Sequence, residues 1–295
     1  MSATPATAVS TRLPVLSVLF SSSLWGLSWW PLQHLAAAGM QGPAMAMFSY
    51  GAVGLCALPL ALRQSARWRD QPLLMLLMLL AGGWGAASFV IMLTIGDVVR
   101  EILLFYLAPA WSVMGARLFL GERVSPRRAL ALVMALAGAF LVVRAGGPIS
   151  TRALTLPDWI ALSSGIAFAA NNLAARAAES IPVTTKFTCS MLGCAALSGL
   201  AMLALDQGLP QVTAPVWLGL LGFAALWTFA GTWTTAFGTT HLEAGRAALL
   251  LLSELVIAVV SSSLINSRAP TLLEAGGGLL ILGAAAVDAF DARAG

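Results

Sequence analysis

The most distinctive chemical group of this sequence is the carboxyl group of Glu254, inside the long apolar stretch 244–265. In a helix that rises about 1.5 Å per residue, Glu254 lies roughly 15 Å from the beginning of this stretch. A carboxylate in apolar surroundings is costly unless it binds a cation or takes up a proton. Glu254 is therefore predicted to bind an ammonium group or to carry a proton. The structural alternative is a protonated side chain that hydrogen-bonds a neighbouring helix.

Two adjacent amides, Asn171 and Asn172, lie inside another apolar stretch, with Ser163 and Ser164 before them. Amide and hydroxyl groups can replace the water around a polar solute. Neighbouring residues of a helix point about 100° apart, so we expect at most one of the two asparagines to face a solute squarely. Hydrogen bonding between apolar helices is the alternative role of these residues.

Aromatic residues form a second candidate group at or near the middle of apolar stretches: Trp25, Trp29, Tyr50, Trp84, Tyr106 and Trp227. Trp25 and Trp29 are four residues apart and therefore share one face of a helix. A wall of rings suits an apolar or aromatic solute and can bind an organic cation through cation–π attraction. Because such rings also serve for packing, we expect two or three of the six to contact a solute.

Gate or hinge positions are predicted where proline or charge interrupts the apolar pattern. Pro31 and Pro109 lie inside apolar stretches, where a proline removes a backbone hydrogen bond and can kink a helix. Arg100 and Glu101 begin one stretch, and Glu243 and Arg246 begin another. For these four residues, ordinary charge at helix ends is the alternative.

The elements that carry these residues follow from the composition. Of 295 residues, 59% are apolar and 9% are charged, whereas an average soluble domain carries about 25% charged residues. This composition excludes an ordinary soluble fold and predicts a membrane protein. The 16 basic residues lie singly or in threes between apolar stretches, which gives little support for nucleic-acid binding. A lipid bilayer and a small-molecule substrate are the expected partners.

Signals for an enzyme are weak. His34 and His241 lie near predicted helix ends on opposite sides of the membrane, and the three cysteines lack the spacing of metal ligands. The sequence contains no nucleotide-binding motif. It therefore predicts no enzymatic activity, no metal site and no cofactor.

Ten apolar stretches are bounded by charge, Pro or Gly. They cover about 14–35, 43–62, 72–95, 98–119, 126–144, 157–177, 183–205, 213–237, 244–265 and 270–289. Stretches of roughly 20 residues suit helices that cross a membrane and are about twice as long as barrel strands. The predicted fold class is all-α, a polytopic membrane protein with ten transmembrane helices.

Weak internal similarity relates the two halves of the sequence. An offset of 145 residues places Leu107 on Leu252 and Arg123 on Arg268. A unit of five helices crosses the membrane an odd number of times, so a second copy enters from the opposite side. The expected organisation is a disordered tail at 1–12, a first repeat at 13–147, an inverted second repeat at 148–290 and a tail at 291–295.

Charge counting indicates the orientation. With the amino terminus in the cytoplasm, twelve basic residues lie on the inner side of the membrane and four on the outer side. Both termini are therefore predicted to be cytoplasmic. One chain with two such repeats is sufficient to form a pathway, so a monomer is expected.

Four features stand in order between Leu107 and Val143: Pro109, Gly121-Glu122, the basic turn 123–128 and Gly138. This order resembles the end of a repeat in the drug/metabolite transporter (DMT) superfamily, EamA type, and Leu24-Trp25-Gly26 is similar to the opening of that family. The second half departs from the pattern, with Glu254 in place of the expected Pro and Asn266-Ser267 in place of Gly-Glu.

The resemblance implies a ten-helix exporter of small metabolites in a bacterial-type inner (plasma) membrane, working by alternating access around a central cavity. Exporters of aromatic and other neutral amino acids in this superfamily are similar in size, so export of such amino acids is the expected function. A proton-coupled multidrug or organic-cation exporter is the alternative. A membrane-embedded enzyme or lipid-handling protein would need His, Asp or Glu clustered at one interface, which the sequence lacks.

Overall fold

The computed structural model describes residues 12–64, 69, 71–95, 98–147 and 153–291. Within these ranges the regular elements are helices and no strand is present, so the predicted all-α class is confirmed. A helix satisfies its backbone hydrogen bonds internally, as lipid surroundings require. The predicted tails fall outside the described residues, except that Arg12 and Asp291 are helical.

The described residues of the first half form eight α-helices. In order they are α1 (Arg12–Leu27), α2 (Trp29–Ala37), α3 (Gly42–Arg63), α4 (Pro72–Leu77), α5 (Gly83–Ile95), α6 (Val98–Phe105), α7 (Ala108–Phe119) and α8 (Pro126–Ala145). A π-helical segment, Met78–Gly82, joins α4 to α5.

The second half is built in the same manner. In order its helices are α9 (Leu156–Ala177), α10 (Val183–Ala204), α11 (Ala214–Phe223), α12 (Ala230–His241), α13 (Ala244–Leu251), α14 (Ser253–Ile265) and α15 (Leu272–Asp291). A second π-helical segment, Ala224–Phe229, joins α11 to α12.

Local sequence determines several helix beginnings. Ser125 caps α8 by accepting a hydrogen bond from the backbone N–H of Arg128, at 3.0 Å. Asp158 closes a capping box at the start of α9, because its carboxylate accepts from the backbone N–H of Thr155 at 2.7 Å. A proline follows each cap, at the helix position where its missing N–H costs least.

Seven segments of the described chain are long and apolar enough to cross a membrane when two helices separated by a short interruption are taken as one segment. They are Gly42–Arg63, Pro72–Phe89, Glu101–Phe119, Pro126–Ala145, Val183–Ala204, Ala214–His241 and Ala244–Ile265. Large apolar side chains such as Leu73, Leu203 and Leu279 are exposed, as lipid contact requires. The chain is therefore a multi-pass membrane protein.

Three stretches that the sequence predicts as single helices, 14–35, 98–119 and 244–265, are interrupted in the structure. The first breaks at Ser28 and the second at Tyr106-Leu107, shortly before Pro31 and Pro109 respectively. A proline ring clashes with the carbonyl group four residues before it, which accounts for both positions.

The third interruption, at Leu252, has no proline. The N–H groups of Leu252 and Leu255 bond to carbonyl oxygens three residues earlier, at 3.2 and 3.1 Å, instead of four residues earlier. This tighter turn separates α13 from α14.

Close helix packing depends on glycine. Helix α8 packs along α15, and α3 packs along α10. A Cβ atom on Gly138 would lie 2.6 Å from the carbonyl oxygen of Gly277, so α8 and α15 meet backbone to backbone. The largest apolar core surrounds two of the interruptions and includes Phe105, Tyr106 and Leu252.

Candidate functional site

Two of the three interrupted helices are joined by a hydrogen bond at their breaks. The hydroxyl group of Tyr106, at the break between α6 and α7, donates to Oε1 of Glu254 at 2.8 Å. Glu254 is the second residue of α14, directly after the break at Leu252. The Tyr106–Glu254 pair therefore joins the two halves where one helix of each half is interrupted.

Glu254 is half-buried, and none of the ion pairs among the described residues includes it. An ionised carboxylate at this position therefore has a phenol donor but no cationic partner from the described part of the protein. Either a proton or a cationic group of a ligand can neutralise it. The site thus retains both chemical roles that the sequence predicts for Glu254.

Hydroxyl groups satisfy the carbonyl oxygens that the break at Leu252 releases. Ser253 donates to the carbonyl oxygen of Leu250 at 2.7 Å, and Ser22 on α1 donates to that of Leu251 at 3.4 Å. Helix α1 approaches closely enough because residue 26 is glycine. A Cβ atom on Gly26 would lie 2.5 Å from the carbonyl oxygen of Glu254.

The break in the first half is packed in a similar way by α9. A Cβ atom on Gly165 would lie 2.7 Å from the carbonyl oxygen of Phe105, at the end of α6. The ring of Phe105 lies 5.5 Å from that of Tyr106 and 5.8 Å from that of Phe168, measured between centroids. The phenol of Tyr106 is thus held in an aromatic cluster.

Three of the predicted tryptophans use their indole N–H groups within the protein. Trp29 donates to Oγ of Ser261 on α14 at 3.0 Å, and Trp227 donates to the carbonyl oxygen of Leu24 at 2.8 Å. Trp84 donates to Oγ of Ser163 at 3.0 Å. Each ring is half-buried, and its only hydrogen-bond donor is used within the protein.

Trp25 belongs to the same region as Glu254. Its indole faces Gly231 on α12, where a Cβ atom would lie 3.1 Å from the indole nitrogen. The next residue, Gly26, touches the backbone of Glu254. Trp25 on α1 therefore lies against α12, and Trp29 at the start of α2 lies against α14.

Tyr50 and Asn171 have contacts with other helices. Tyr50 packs against apolar residues of α3 and α10, including Val53, Phe187 and Met191. The amide oxygen of Asn171 accepts from Oγ of Ser190 at 3.1 Å, which is a contact between α9 and α10. This bond is of the kind that the alternative role of Asn171 predicts, hydrogen bonding between helices.

Asn172 differs from its neighbour. Its side chain is buried, and its amide nitrogen has no hydrogen-bond partner among the described residues. Because an unsatisfied buried donor is costly, Asn172 is the asparagine with hydrogen-bonding capacity left for a ligand.

A buried ionic cluster lies at one end of the bundle, which we call the charged end. Arg128 at the start of α8 pairs with Glu243 before α13 and, at 3.4 Å, with Asp288 near the end of α15. Arg246 lies 3.5 Å from the second oxygen of Asp288. Arg128 belongs to the first half and its acidic partners to the second, so these contacts hold the halves together.

Glu122 makes a further contact between the halves at the charged end. Gly121, just after α7, has a φ of 68°, a conformation that glycine adopts without strain, and directs the chain toward α13. Oε1 of Glu122 then accepts from the backbone N–H of Ala244, the first residue of α13, at 3.2 Å. Burial raises the pKa of the Glu122 carboxyl group above its ordinary value.

Lys186 connects two helix ends on the same side of the bundle. Its ammonium group donates to the carbonyl oxygen of Ala175 at 2.6 Å and to Oγ1 of Thr240 at 3.3 Å. Arg176 donates to the carbonyl oxygen of Thr240 at 3.3 Å. These cations neutralise the partial negative charge at the carboxyl-terminal ends of α9 and α12.

Comparison with protein families decides what this fold is. The model of the EamA-like transporter family matches residues 2–144 and residues 155–287. The chain belongs to the EamA-like transporter family. The resemblance seen in the sequence is thereby confirmed, and the protein is a transporter and not an enzyme.

Two relatives of this EamA-like transporter are informative. A probable terminal-alkyne amino-acid exporter of Streptantibioticus cattleyicolor is 27% identical over 83% of this chain and 82% of its own length. A solved crystal structure, described only as that of a protein, has a TM-score of 0.75 and 21% identity, and covers 96% of this chain and 98% of its own. The second likeness shows the fold alone.

The predicted gate and hinge residues of the EamA-like chain have different surroundings. Pro31 and Pro109 each follow a helix interruption, Glu101 is buried, and Arg246 pairs with Asp288. Arg100 is in α6, but its side chain lies outside the described residues.

Sequence reasoning did not select two residues of the charged end, Arg128 and Asp288. Asp288 had a detectable signal, because it is an acid inside the apolar stretch 270–289. Arg128 was indistinguishable from ordinary charge at helix ends.

Proposed function

We propose that this EamA-like transporter exports neutral or aromatic amino acids of small size, with the substrate ammonium group bound at Glu254. The observation that carries this proposal is the half-buried Glu254 carboxylate at two meeting helix breaks, oriented by Tyr106 and without an ion-pair partner among the described residues. An ammonium ligand would neutralise it at low desolvation cost. The relative named as an amino-acid exporter supports this substrate class.

The break beside Tyr106 also supplies a place for the substrate carboxylate. Helix α7 begins at Ala108, so the positive end of its dipole lies next to the Tyr106–Glu254 pair. Half-helices in transporters commonly direct their amino-terminal ends at anionic groups of substrates. A zwitterion therefore fits with its ammonium group at Glu254 and its carboxylate toward α7.

Ten membrane spans in two inverted repeats complete the proposal. The break at Tyr106-Leu107 and the break at Leu252 are about 145 residues apart, as are the π-helical segments Met78–Gly82 and Ala224–Phe229. This spacing equals the offset found in the sequence. The two segments matched by the family model support the same organisation.

Helix packing supports the same duplication. Helix α1 packs against α12 and α14, and α9 packs against α5, α6 and α7. The first helix of each half thus packs against the equivalent helices of the other half: α12 corresponds to α5, and α14 to α7. The matching interruptions and pairings support the proposed repeat beyond the weak sequence similarity.

We assign the charged end to the cytoplasmic side of an inner (plasma) membrane, with both termini on that side. Many basic residues of the described chain lie at this end, among them Arg63, Arg117, Arg123 and Arg127. Cytoplasmic loops carry an excess of Arg and Lys. A single chain is sufficient for the pathway, so the proposed active unit is a monomer.

Alternating access would then require the charged end to open and close. The contacts of Arg128 and Glu122 join the halves there, so opening toward the cytoplasm must separate them. In this proposal they are the cytoplasmic gate, and Arg246 belongs to it through Asp288.

A second candidate function is proton-coupled export of organic cations. The ring faces of Trp25 and Trp29, together with a carboxylate that can exchange a proton for a cation, favour it. The two candidates differ in whether the ligand needs a carboxylate and whether transport needs a pH gradient.

Transport by reconstituted protein tests the proposal. Proteoliposomes receive labelled neutral, aromatic, acidic and basic amino acids, the terminal-alkyne amino acid propargylglycine and tetraphenylphosphonium, each with and without a pH gradient. The proposal predicts transport of the neutral or aromatic members and of propargylglycine. Movement of tetraphenylphosphonium alone, dependent on the gradient, would favour the second candidate instead.

A further inference from the structure

A cavity of about 420 Å³ opens at the charged end, away from the Tyr106–Glu254 pair. Gln71 before α4, Glu122 after α7, and Arg176 and Glu179 at the end of α9 supply its polar lining. Its volume is in the range of small-molecule sites, and elements of both halves form its walls.

Two acceptor atoms on its lining residues have unused hydrogen-bonding capacity. Oε1 of Gln71 and Oε2 of Glu122 are buried and have no hydrogen-bond partner within the described ranges. Buried acceptors without a donor are costly, and an ammonium group carries three N–H donors. A rotation of the Gln71 or Glu122 side chain that turns its buried acceptor into the cavity would therefore be compensated by a cationic amine and not by an anion.

A cation lies at another wall of the same cavity. Arg176 donates to Oε1 of Glu179 at 2.5 Å and to the carbonyl oxygen of Thr240 at 3.3 Å. About a third of the Arg176 side chain is exposed, at 30%. A guanidinium group has five N–H donors, so donors remain for a carboxylate.

We propose that this cavity is a second binding site, which takes a small zwitterion with its ammonium group at Glu122 and Gln71 and its carboxylate at Arg176. The inference rests on the proposed function for the identity of the ligand. Glu122 also holds the first residue of α13, whose other end is the break before Glu254. A ligand in the cavity thus contacts the residue that holds this half-helix, as a loading site for the central carboxylate would.

Equilibrium binding of tritiated propargylglycine to the full-length protein in detergent tests this inference. The wild type is compared with Glu122→Gln, Gln71→Leu and Glu254→Gln. The amide oxygen that Glu122→Gln introduces would still accept the bond from Ala244, which protects the fold, and Gln71 makes no side-chain cap contact. Gln41→Leu is the matched control, because Gln41 also precedes a proline-containing helix start and its side chain makes no cap contact.

The wild type should bind two ligands per chain. Glu122→Gln and Gln71→Leu should weaken one class of sites about tenfold, while Glu254→Gln removes only the other class and Gln41→Leu changes neither. N-acetylated propargylglycine, which lacks the ammonium group, should not compete at either class.

Each alternative outcome has a definite meaning. A single class of sites that Glu254→Gln abolishes and Glu122→Gln spares overturns the second site and leaves the proposed function standing. A single class abolished only by Glu122→Gln overturns Glu254 as the central site instead. Absence of binding to the wild type overturns both.

Discussion

Glu254 and Tyr106 have complementary chemistry at the centre of this protein. The phenol donates to one carboxylate oxygen and leaves the other without a hydrogen bond from Tyr106. An oriented carboxylate loses less conformational freedom when it binds a ligand than a freely rotating one. In the proposed function Tyr106 is therefore a positioning residue for the group that meets the substrate.

Tyr106→Phe should keep the ring in its aromatic cluster and remove only the donor. Because hydrogen bonds to charged groups contribute about 1.5–3 kcal/mol, the Michaelis constant for transported amino acid should rise about tenfold or more, with a smaller change in maximal rate. Initial rates of uptake into proteoliposomes measure both values.

Tyr50→Phe serves as the contrast, because Tyr50 packs in an apolar cluster on α3. It should change the Michaelis constant less than about twofold. Equal effects of the two substitutions would contradict the role assigned to Tyr106.

A single residue could be selected from the sequence only where its chemical type was unusual for its position deep inside an apolar stretch. Glu254 met this condition, and it lies at the proposed site. The partners could not be selected, because a pattern along one helix does not determine which neighbouring helix it faces. Tyr106 and Tyr50 had the same status in the sequence, and only packing distinguishes them.

At the scale of elements, the interruptions position the site. The break before Pro109 follows from proline chemistry and was predictable. The break at Leu252 depends on Ser22, a residue more than 200 positions away, and on the close approach that Gly26 permits. Such long-range support has no local sequence signal, so 244–265 was predicted as one helix. The π-helical segments were missed for the same reason.

Gly26→Ala should destabilise the protein. The added methyl group would lie 2.5 Å from the carbonyl oxygen of Glu254 and 2.7 Å from Cβ of Ile257, so α1 must move away from α14. Overpacking of this kind costs about 1–3 kcal/mol, which predicts a clearly lower unfolding temperature in detergent.

Gly222→Ala is the matched control for this substitution. Gly222 is also a helix residue, but a Cβ atom there would meet nothing within 4 Å among the described residues. Its unfolding temperature should be unchanged or slightly higher, since alanine favours helix. Equal unfolding temperatures for Gly26→Ala and Gly222→Ala would show that α1 does not pack closely on the helix break at Leu252.

At the scale of the whole molecule, the two halves are joined in the centre by the Tyr106–Glu254 pair and at the charged end by Arg128 and Glu122. Arg128 and Asp288 are buried charges 3.4 Å apart, so removal of one takes a buried ionic partner from the other. This cluster is the structural counterpart of a gate in the proposed mechanism.

Arg128→Gln should loosen the charged end. Hydrogen exchange of the backbone around residues 244–251 should become faster, because α13 loses the ionic contacts before its first turn. Arg127→Gln, at the exposed neighbouring arginine, should leave that exchange unchanged. Adding Asp288→Asn to Arg128→Gln should recover part of the protection, because it removes a buried carboxylate that has lost Arg128 and keeps only Arg246 at 3.5 Å. Indistinguishable exchange in Arg127→Gln and Arg128→Gln would contradict the gate.

Global features were the most predictable from sequence. Composition and the length of apolar stretches are properties of the whole chain, and they led to the all-α membrane class. The transporter family followed from the resemblance of the segment between Leu107 and Val143. The ionic cluster was not predictable as a unit, because its members come from distant parts of the chain and no local pattern pairs Arg128 with Asp288.

Transport by Glu254→Gln tests the central claim most directly. Wild-type and variant proteins are reconstituted at equal density, and exchange of tritiated propargylglycine is followed at saturating and limiting concentrations. Asp206→Asn is the control, since it makes the same carboxylate-to-amide change in an exposed turn. Binding of the ammonium group at Glu254 predicts at least an approximately tenfold loss of transport efficiency in Glu254→Gln and no loss in Asp206→Asn. Wild-type efficiency in Glu254→Gln would contradict it.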